Sequence, residues 1–216
     1  MNHTLKIDGV YLEYGLSKIL TSVYVKCETG NIVGLLGRNG SGKSSLLKIV
    51  FGSLLAQSKS VILDENSQLP PFSTQISYLP QSELIPSFIT IDKALQLFKI
   101  DKQEIIDVFP DAKDLMALRP SQLSGGMLRI IETMLILNTS AKFCLLDEPF
   151  TGIMPVHVDT LKEYMQFKKK SKGIILTDHL YRHVLSLSDT LYVLANGKTY
   201  IVNDEQQLIS RGYIKE

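Results

Sequence analysis

Cysteine is scarce: Cys27 and Cys144 are the two in 216 residues. Two cysteines make no disulfide framework, and the chain fits a reducing compartment. An excess of charge of either sign is also missing. Lys plus Arg number 23 and Asp plus Glu 22, a formal net charge of +1. That balance gives no support to a nucleic-acid binder working through bulk positive charge, so nucleic acid is not an expected partner. No apolar run approaches the ~20 residues that cross a bilayer. The longest candidate, Leu128 to Leu137, is interrupted by Arg129 and Glu132. The opening residues, MNHTLKIDGVYLEY, lack a basic stretch followed by an apolar core, so no secretory signal is read and the chain is expected to be soluble by itself. Internal repeats and low-complexity stretches are lacking as well. What is left is an ordinary globular composition, 44% hydrophobic and 21% charged, enough for one domain or one domain with a small lobe.

The apolar pattern supplies the architecture. Thr4 to Ile7 and Val23 to Cys27 alternate apolar with polar, as half-buried strands do. Ile32 to Leu36, Phe143 to Leu146 and Ile174 to Leu176 are short runs suited to buried strands, and Ile76 to Leu79 is another strand. Helices are read over Lys43 to Phe51, Ser124 to Leu137 and Val156 to Lys172, the last closed by Gly173. Leu191 to Leu194 and Thr199 to Val202 flank Asn196-Gly197, a strong hairpin signal. Between Pro86 and Pro120 the alternation breaks into short helical pieces, with Leu95, Phe98, Ile105, Ile106 and Phe109 as buried faces. The fold class is α/β with a largely parallel sheet, antiparallel strands at the N-terminal side and a short helical lobe. Lys168, Lys169, Lys170 and Lys172 read as a solvated helix end rather than a nucleic-acid or lipid patch.

Gly37-Arg38-Asn39-Gly40-Ser41-Gly42-Lys43-Ser44 fits GxxxxGK[ST] at every fixed position, between a strand and a helix. Glycines let successive backbone N–H groups turn inward around phosphate oxygens, and the helix N-terminus adds its dipole. In that frame Lys43 reaches the β- and γ-phosphates and the Ser44 hydroxyl binds Mg²⁺. The bland alternative is a chance glycine turn before a helix. The motif says that a nucleoside triphosphate is bound, not which one. The strand Phe143 to Leu146 ends in Asp147 and Glu148, at the end of such a sheet where ligands sit. Asp147 would hold Mg²⁺ and Glu148 would polarise an attacking water as general base. An acidic strand end capping a neighbouring helix is the alternative. His3, His157 and His183 form no zinc pattern with cysteine.

With these in place, the chain resembles the ATP-binding cassette (ABC) ATPases over nearly its whole length. Leu123-Ser124-Gly125-Gly126-Met127 resembles the LSGGQ signature and lies between the phosphate loop and the acidic pair. Gln81 resembles the Q-loop glutamine, His179 the switch histidine and Tyr14 the A-loop aromatic that stacks on adenine, with Tyr11 a rival for that place and a satisfied surface histidine the alternative for His179. The resemblance implies a P-loop NTPase core over residues 1–81 and 124–216 with a helical subdomain over about 82–123. It implies ATP and Mg²⁺: Tyr14, Gly37, Asn39, Gly40, Ser41, Gly42, Lys43, Ser44, Ser45, Ser124, Gly125 and Gly126 would bind nucleotide, Ser44, Gln81 and Asp147 the metal, and Glu148, His179 and Lys43 would serve catalysis. It further implies head-to-tail pairs, homo- or heterodimeric, with each ATP between one subunit's phosphate loop and the other's signature. Hydrolysis would drive transport through transmembrane permease subunits, which would hold the chain at the cytoplasmic face of the membrane. The stretches around Glu148-Pro149-Phe150 and Thr177-Asp178-His179 look similar to the ATPases of lipopolysaccharide export and branched-chain amino-acid import.

Three features depart from the family pattern. Met127 replaces the usual Gln, Met154 stands where the D-loop normally has Asp, and Gln81 to Leu123 spans 42 positions, a short helical lobe. A methionine cannot accept hydrogen bonds as a carboxylate does, so weak communication between two sites, or an unusual pair, is expected. The short lobe suggests a reduced or unusual coupling helix on the membrane partner. Rival functions are weaker. Only 80 positions separate Lys43 from Leu123, too few for a repair-type coiled-coil insert, and a single cassette disfavours a translation factor. An ATP-binding regulatory or non-transport member with weak turnover stays as the alternative; Glu148 argues against it and Met154 for it.

Overall fold

In the computed structural model, residues 2–64, 67–210 and 213 are described. Their strands form a ten-stranded mixed sheet in the order β5-β4-β1-β2-β10-β9-β3-β8-β7-β6. The parallel part holds β3 (Ile32–Leu36), β6 (Ile76–Leu79), β7 (Phe143–Asp147) and β8 (Gly173–Thr177), with β9 (Thr190–Ala195) parallel to β3. All five residues of β3, β7 and β8 are buried, as strands covered on both faces must be. The antiparallel part holds β1 (Thr4–Tyr14), β2 (Ser17–Glu28), β4 (Ser58–Leu63) and β5 (Ser67–Gln68). β9 turns into β10 (Lys198–Val202) through Asn196 and Gly197, both at positive φ (50° and 75°), as a tight hairpin turn requires.

Two apolar clusters lie on the sheet. One packs α1 (Lys43–Phe51), through Leu46, Leu47 and Ile49, with Ile7, Val10, Val33 and Phe143. The other joins α4 (Gly125–Asn138), α5 (Pro155–Lys168) and α6 (Tyr181–Leu187) to the short helices α2 (Ile91–Leu97) and α3 (Gln103–Ile106). A last helix, α7 (Glu205–Ser210), adds Leu208 to it. Between α3 and α4 run two 3₁₀ turns, Pro110–Leu115 and Pro120–Gln122. No helix among the described residues is long and apolar enough to cross a membrane.

The structure corrects several expectations. β1 and β2 are much longer than the alternating pieces predict, because β-bulges break the alternation while pairing continues. β4 and β5 have no counterpart in the sequence pattern: Ser58, Lys59 and Ser60 give β4 a polar start, and β5, at the sheet edge, is two residues long. α5 stops at Lys168, and Gly173 is no helix cap but the first residue of β8. A Cβ there would lie 2.5 Å from the Phe143 ring and 2.9 Å from Cys27 Sγ, so close packing is what requires glycine. Lys172 is not solvated: it is buried, and its Nζ donates to the carbonyls of Thr139 and Ala141 in the segment that follows α4. Lys168 leans back to Glu104 at 3.1 Å. Leu95, Ile105 and Phe109 are buried, whereas Phe98 is 43% exposed, beside Lys99, whose φ of 58° turns the chain out of α2. Cys27 and Cys144 are both buried free thiols, and burial pushes both pKa values up.

Candidate nucleotide site

The phosphate loop connects β3 to α1. Gly40 and Gly42 hold φ of 79° and 105°, values that L side chains rarely adopt. Gly42 caps α1 without any side-chain acceptor, so the first N–H groups of the helix stay unclaimed by a cap. Lys43 Nζ folds back on the carbonyl oxygens of Gly37 at 2.8 Å and Arg38 at 3.3 Å. Burial lowers its pKa, while the carboxylates of Glu148, Asp147 and Asp178 pull the other way. Ser41 Oγ is buried within the loop without a hydrogen-bond partner, a polar group that a phosphate oxygen would satisfy.

The parallel register of β6, β7 and β8 brings the acidic pair and the Q-loop to the same sheet end. Ser44 Oγ donates to Asp147 Oδ1 at 3.0 Å, and the Tyr78 hydroxyl donates to Asp147 Oδ2 at 3.3 Å. Burial raises the Asp147 pKa; the two hydroxyls and Arg129 act against that rise. Gln81 Nε2 donates to Glu148 Oε2 at 3.0 Å, and the Thr151 hydroxyl donates to the same oxygen at 3.2 Å. Glu148 sits at φ 57°, a left-handed conformation that a non-glycine residue adopts only when its surroundings fix it. Its N–H donates to Thr177 O at 2.7 Å. His179 Nδ1 is 3.7 Å from Glu148 Oε2. Asp178 is buried, its pKa raised for that reason, and it accepts the N–H groups of Phe150 and Leu180, each at 2.9 Å.

A cavity of about 430 Å³ is bounded by Tyr14, Lys43, Ser44, Gln81 and Glu148 together with the loop. Tyr14 is 55% exposed on its rim. Tyr11 instead donates its hydroxyl to Glu13 at 2.6 Å and does not line this cavity. Ser124, Gly125 and Gly126 line a different cavity of about 480 Å³, which shares Gln81 and Glu148 with the first but holds no phosphate-loop residue. Ser124 Oγ accepts Met127 N–H at 3.3 Å and so caps α4. The structure therefore gathers the phosphate loop, Asp147, Glu148, Gln81 and His179 at one place and leaves the signature residues outside it.

Among the described residues no group of three or more His, Cys, Asp or Glu could hold a metal by itself. The Ser44 hydroxyl, the Asp147 carboxylate and the Gln81 amide are hard oxygen donors. They fit Mg²⁺, which is commonly bound by one or two carboxylates plus substrate phosphates. Sequence reasoning missed Tyr78, Thr151 and, above all, Arg129. The available signal was two charges, Arg129 and Glu132, inside an otherwise apolar helix.

A phosphate loop between a buried strand and a helix, with an acidic pair two strands away, defines the P-loop nucleotide-binding class. The sequence model of ABC transporters matches residues 20–151. The chain is 30% identical to the lipopolysaccharide export system ATP-binding protein LptB of Escherichia coli K12, across 99% of this chain and 98% of that protein. It is 27% identical to the branched-chain amino acid transport ATP-binding protein BraG of Pseudomonas aeruginosa, across 98% and 97%. A solved ATP-binding subunit of an ABC transporter superposes with a TM-score of 0.81 at 21% identity, covering 98% of this chain and 95% of that one. A nucleotide-free ATP-binding cassette superposes with a TM-score of 0.78 at 21% identity, covering 99% and 96%. The chain belongs to the ABC transporter family, as one of its ATP-binding subunits.

Proposed function

We propose that this subunit hydrolyses ATP between two cassettes and thereby powers the movement of a substrate across a membrane. The observation that carries the reading is the separation of the two half-sites. The phosphate loop and the signature, both suited to phosphate, open into different cavities of one chain. In this reading a second cassette, identical or different, supplies the signature to each ATP.

In this reading the N–H groups of residues 39–44 cradle the phosphates and Lys43 leaves its two carbonyl partners for the β- and γ-phosphates. Tyr14 stacks on adenine. Ser44, Asp147 and Gln81 hold Mg²⁺, which, when bound, neutralises charge on the phosphates. Glu148 accepts a proton from the water that attacks the γ-phosphorus, ADP departs, and His179 orients the carboxylate and phosphate. The partner's Ser124, Gly125 and Gly126 close the site from the N-terminus of a fourteen-residue helix. The helices over about 82–123 meet permease subunits, which keep the chain at the cytoplasmic face of the membrane. LptB and BraG, named as subunits of an export and a transport system, support this role. Met154, 63% exposed and without a side-chain cap at the start of α5, favours a second reading in which the two sites communicate weakly.

The test is ATP-dependent dimerisation of Glu148→Gln, by light scattering with and without Mg-ATP. Turnover should fall by about 10²–10⁴-fold, the usual contribution of a general base, and ATP should trap a dimer. A variant that hydrolyses like the parent overturns the assignment of Glu148. One that stops turning over, binds ATP and stays monomeric moves the search to a different cassette or the membrane subunits.

A further inference from the structure

Arg129 and Glu132 are the two charged residues on the buried stretch of α4, 7% and 1% exposed. Their side chains lie 3.6 Å apart, yet most of their bonds go elsewhere. Arg129 Nη1 donates to Pro80 O at 2.7 Å, Nε to Glu148 O at 3.1 Å, and Nη2 to Asp147 O. One guanidinium thus ties the residue before Gln81 to both residues of the acidic pair. Glu132 Oε1 accepts Leu84 N–H at 2.6 Å and Ile85 N–H at 3.0 Å, holding the chain just after Gln81. The Thr133 hydroxyl donates to Arg129 O at 2.7 Å within the helix. Desolvation works against both charges, lowering the Arg129 pKa and raising that of Glu132, so a merely apolar helix would avoid this arrangement.

We infer that Arg129 and Glu132 form a positioning strut, through which the signature helix sets the places of Gln81 and Glu148 in the same chain's nucleotide site. The inference rests on the proposed function for what that site does. Glu148 keeps a left-handed backbone, and its carbonyl is one of the three that Arg129 holds. Ser124 is the cap of the helix that carries Arg129 five residues on. A displacement of α4 when the signature engages a second cassette therefore reaches Pro80 and Glu148 directly, without passing through solvent. Arginine is needed because a lysine ammonium cannot present a planar fork to three carbonyls. Neither residue touches substrate in this account; both act through the groups they hold.

The chain has no tryptophan, and Ser82 is exposed beside Gln81, so Ser82→Trp provides a local reporter. In that background Arg129→Lys is compared with its parent for ATP Kd, kcat and tryptophan anisotropy. The expected result is a Kd within about twofold, a kcat lower by about 10–100-fold, the usual cost of a small misplacement, and a fall in anisotropy. Unchanged anisotropy with kcat retained overturns the strut. A Kd that rises while kcat and the melting temperature fall overturns it too, as a purely structural role. Should Arg129→Lys not fold, Glu132→Gln carries the test. It keeps an oxygen for Leu84 and Ile85 but removes the counter-charge of Arg129, and a several-fold loss of kcat at constant Kd is expected; an unchanged kcat and anisotropy overturn the proposal. Failure of the parent to hydrolyse ATP would count against the proposed function alone, because the anisotropy arm reads the strut without turnover.

Discussion

The phosphate-loop end of the sheet and the signature end of α4 carry similar chemistry in opposite states. At the first, nearly every functional group is engaged inside the chain: Lys43 on Gly37 and Arg38, Ser44 on Asp147, Gln81 on Glu148. At the second, Ser124 and Gly125 are exposed, and Ser124 does no more than cap its own helix. The first end is a site held ready by internal bonds that a ligand must replace. The second turns its hydroxyl and helix N-terminus outward, as the proposed pairing requires. Lys43→Ala tests the first most severely. Removing a charge-assisted donor from the phosphates costs about 1.5–3 kcal/mol, so ATP affinity should fall by about 10–100-fold by fluorescent-nucleotide titration, with the signature end untouched.

Gly126→Ala is the complementary break. A Cβ there would lie 2.3 Å from Gly152 O and 3.1 Å from Gly152 C, backbone atoms that cannot swing aside. The signature must move off the loop between β7 and α5, at a cost of about 1–3 kcal/mol. ATP affinity of the isolated chain should stay within twofold of the parent on the proposed division of labour, while ATP-dependent pairing in the Glu148→Gln background disappears in light scattering. If affinity falls as far as it does for Lys43→Ala, the two ends are one site and the comparison is wrong. Tyr14→Ala is milder. Stacking contributes about 0.5–1.5 kcal/mol, so affinity should weaken about two- to tenfold. Tyr11→Phe, which loses only a bond to Glu13, should leave affinity unchanged.

The same contrast explains how much was legible beforehand. The phosphate loop, the acidic pair and the buried parallel strands could be read because each has a local chemical cause: positive φ needs glycine, and two-sided burial needs an unbroken apolar run. The long hairpin of β1 and β2 was legible only in pieces, since bulges shift its alternation. β4 carries only the three-residue apolar run Val61-Ile62-Leu63 after a polar start, and the edge strand β5 has two residues, so neither stands out as a strand. Gly173 and Lys172 were misread for one reason. Both look like ends of a helix, but what surrounds them is the Phe143 ring and the Thr139 and Ala141 carbonyls just after α4, residues about thirty positions away. Arg129 reads in the sequence as a retained charge in an otherwise apolar helix, without a role, because its three carbonyl partners lie at the ends of β6 and β7, which no window of α4 contains.

Met154 gives the smallest expected effect and the finest test of the comparison. It is the N-cap residue of α5, with extended backbone (φ −64°, ψ 138°), Pro155 following at the first helical position and no side-chain cap. Its carbonyl accepts His157 N–H at 2.9 Å, and its thioether, 63% exposed, offers the helix nothing further. An aspartate there would place a carboxylate near the free N–H groups of the first turn and complement the helix dipole. Met154→Asp should therefore stabilise the fold by about 1 kcal/mol, a rise of about 2–4 °C in Tm for a chain of this size. That rise is local chemistry and is expected whatever the protein does. On the proposed pairing, the variant should also sharpen the dependence of turnover on ATP concentration, because the added carboxylate stands at a cavity that Glu148 and the signature share. A raised Tm with an unchanged Hill coefficient would show that Met154 is only a missing cap, and the idea that it loosens communication between two sites would then fall.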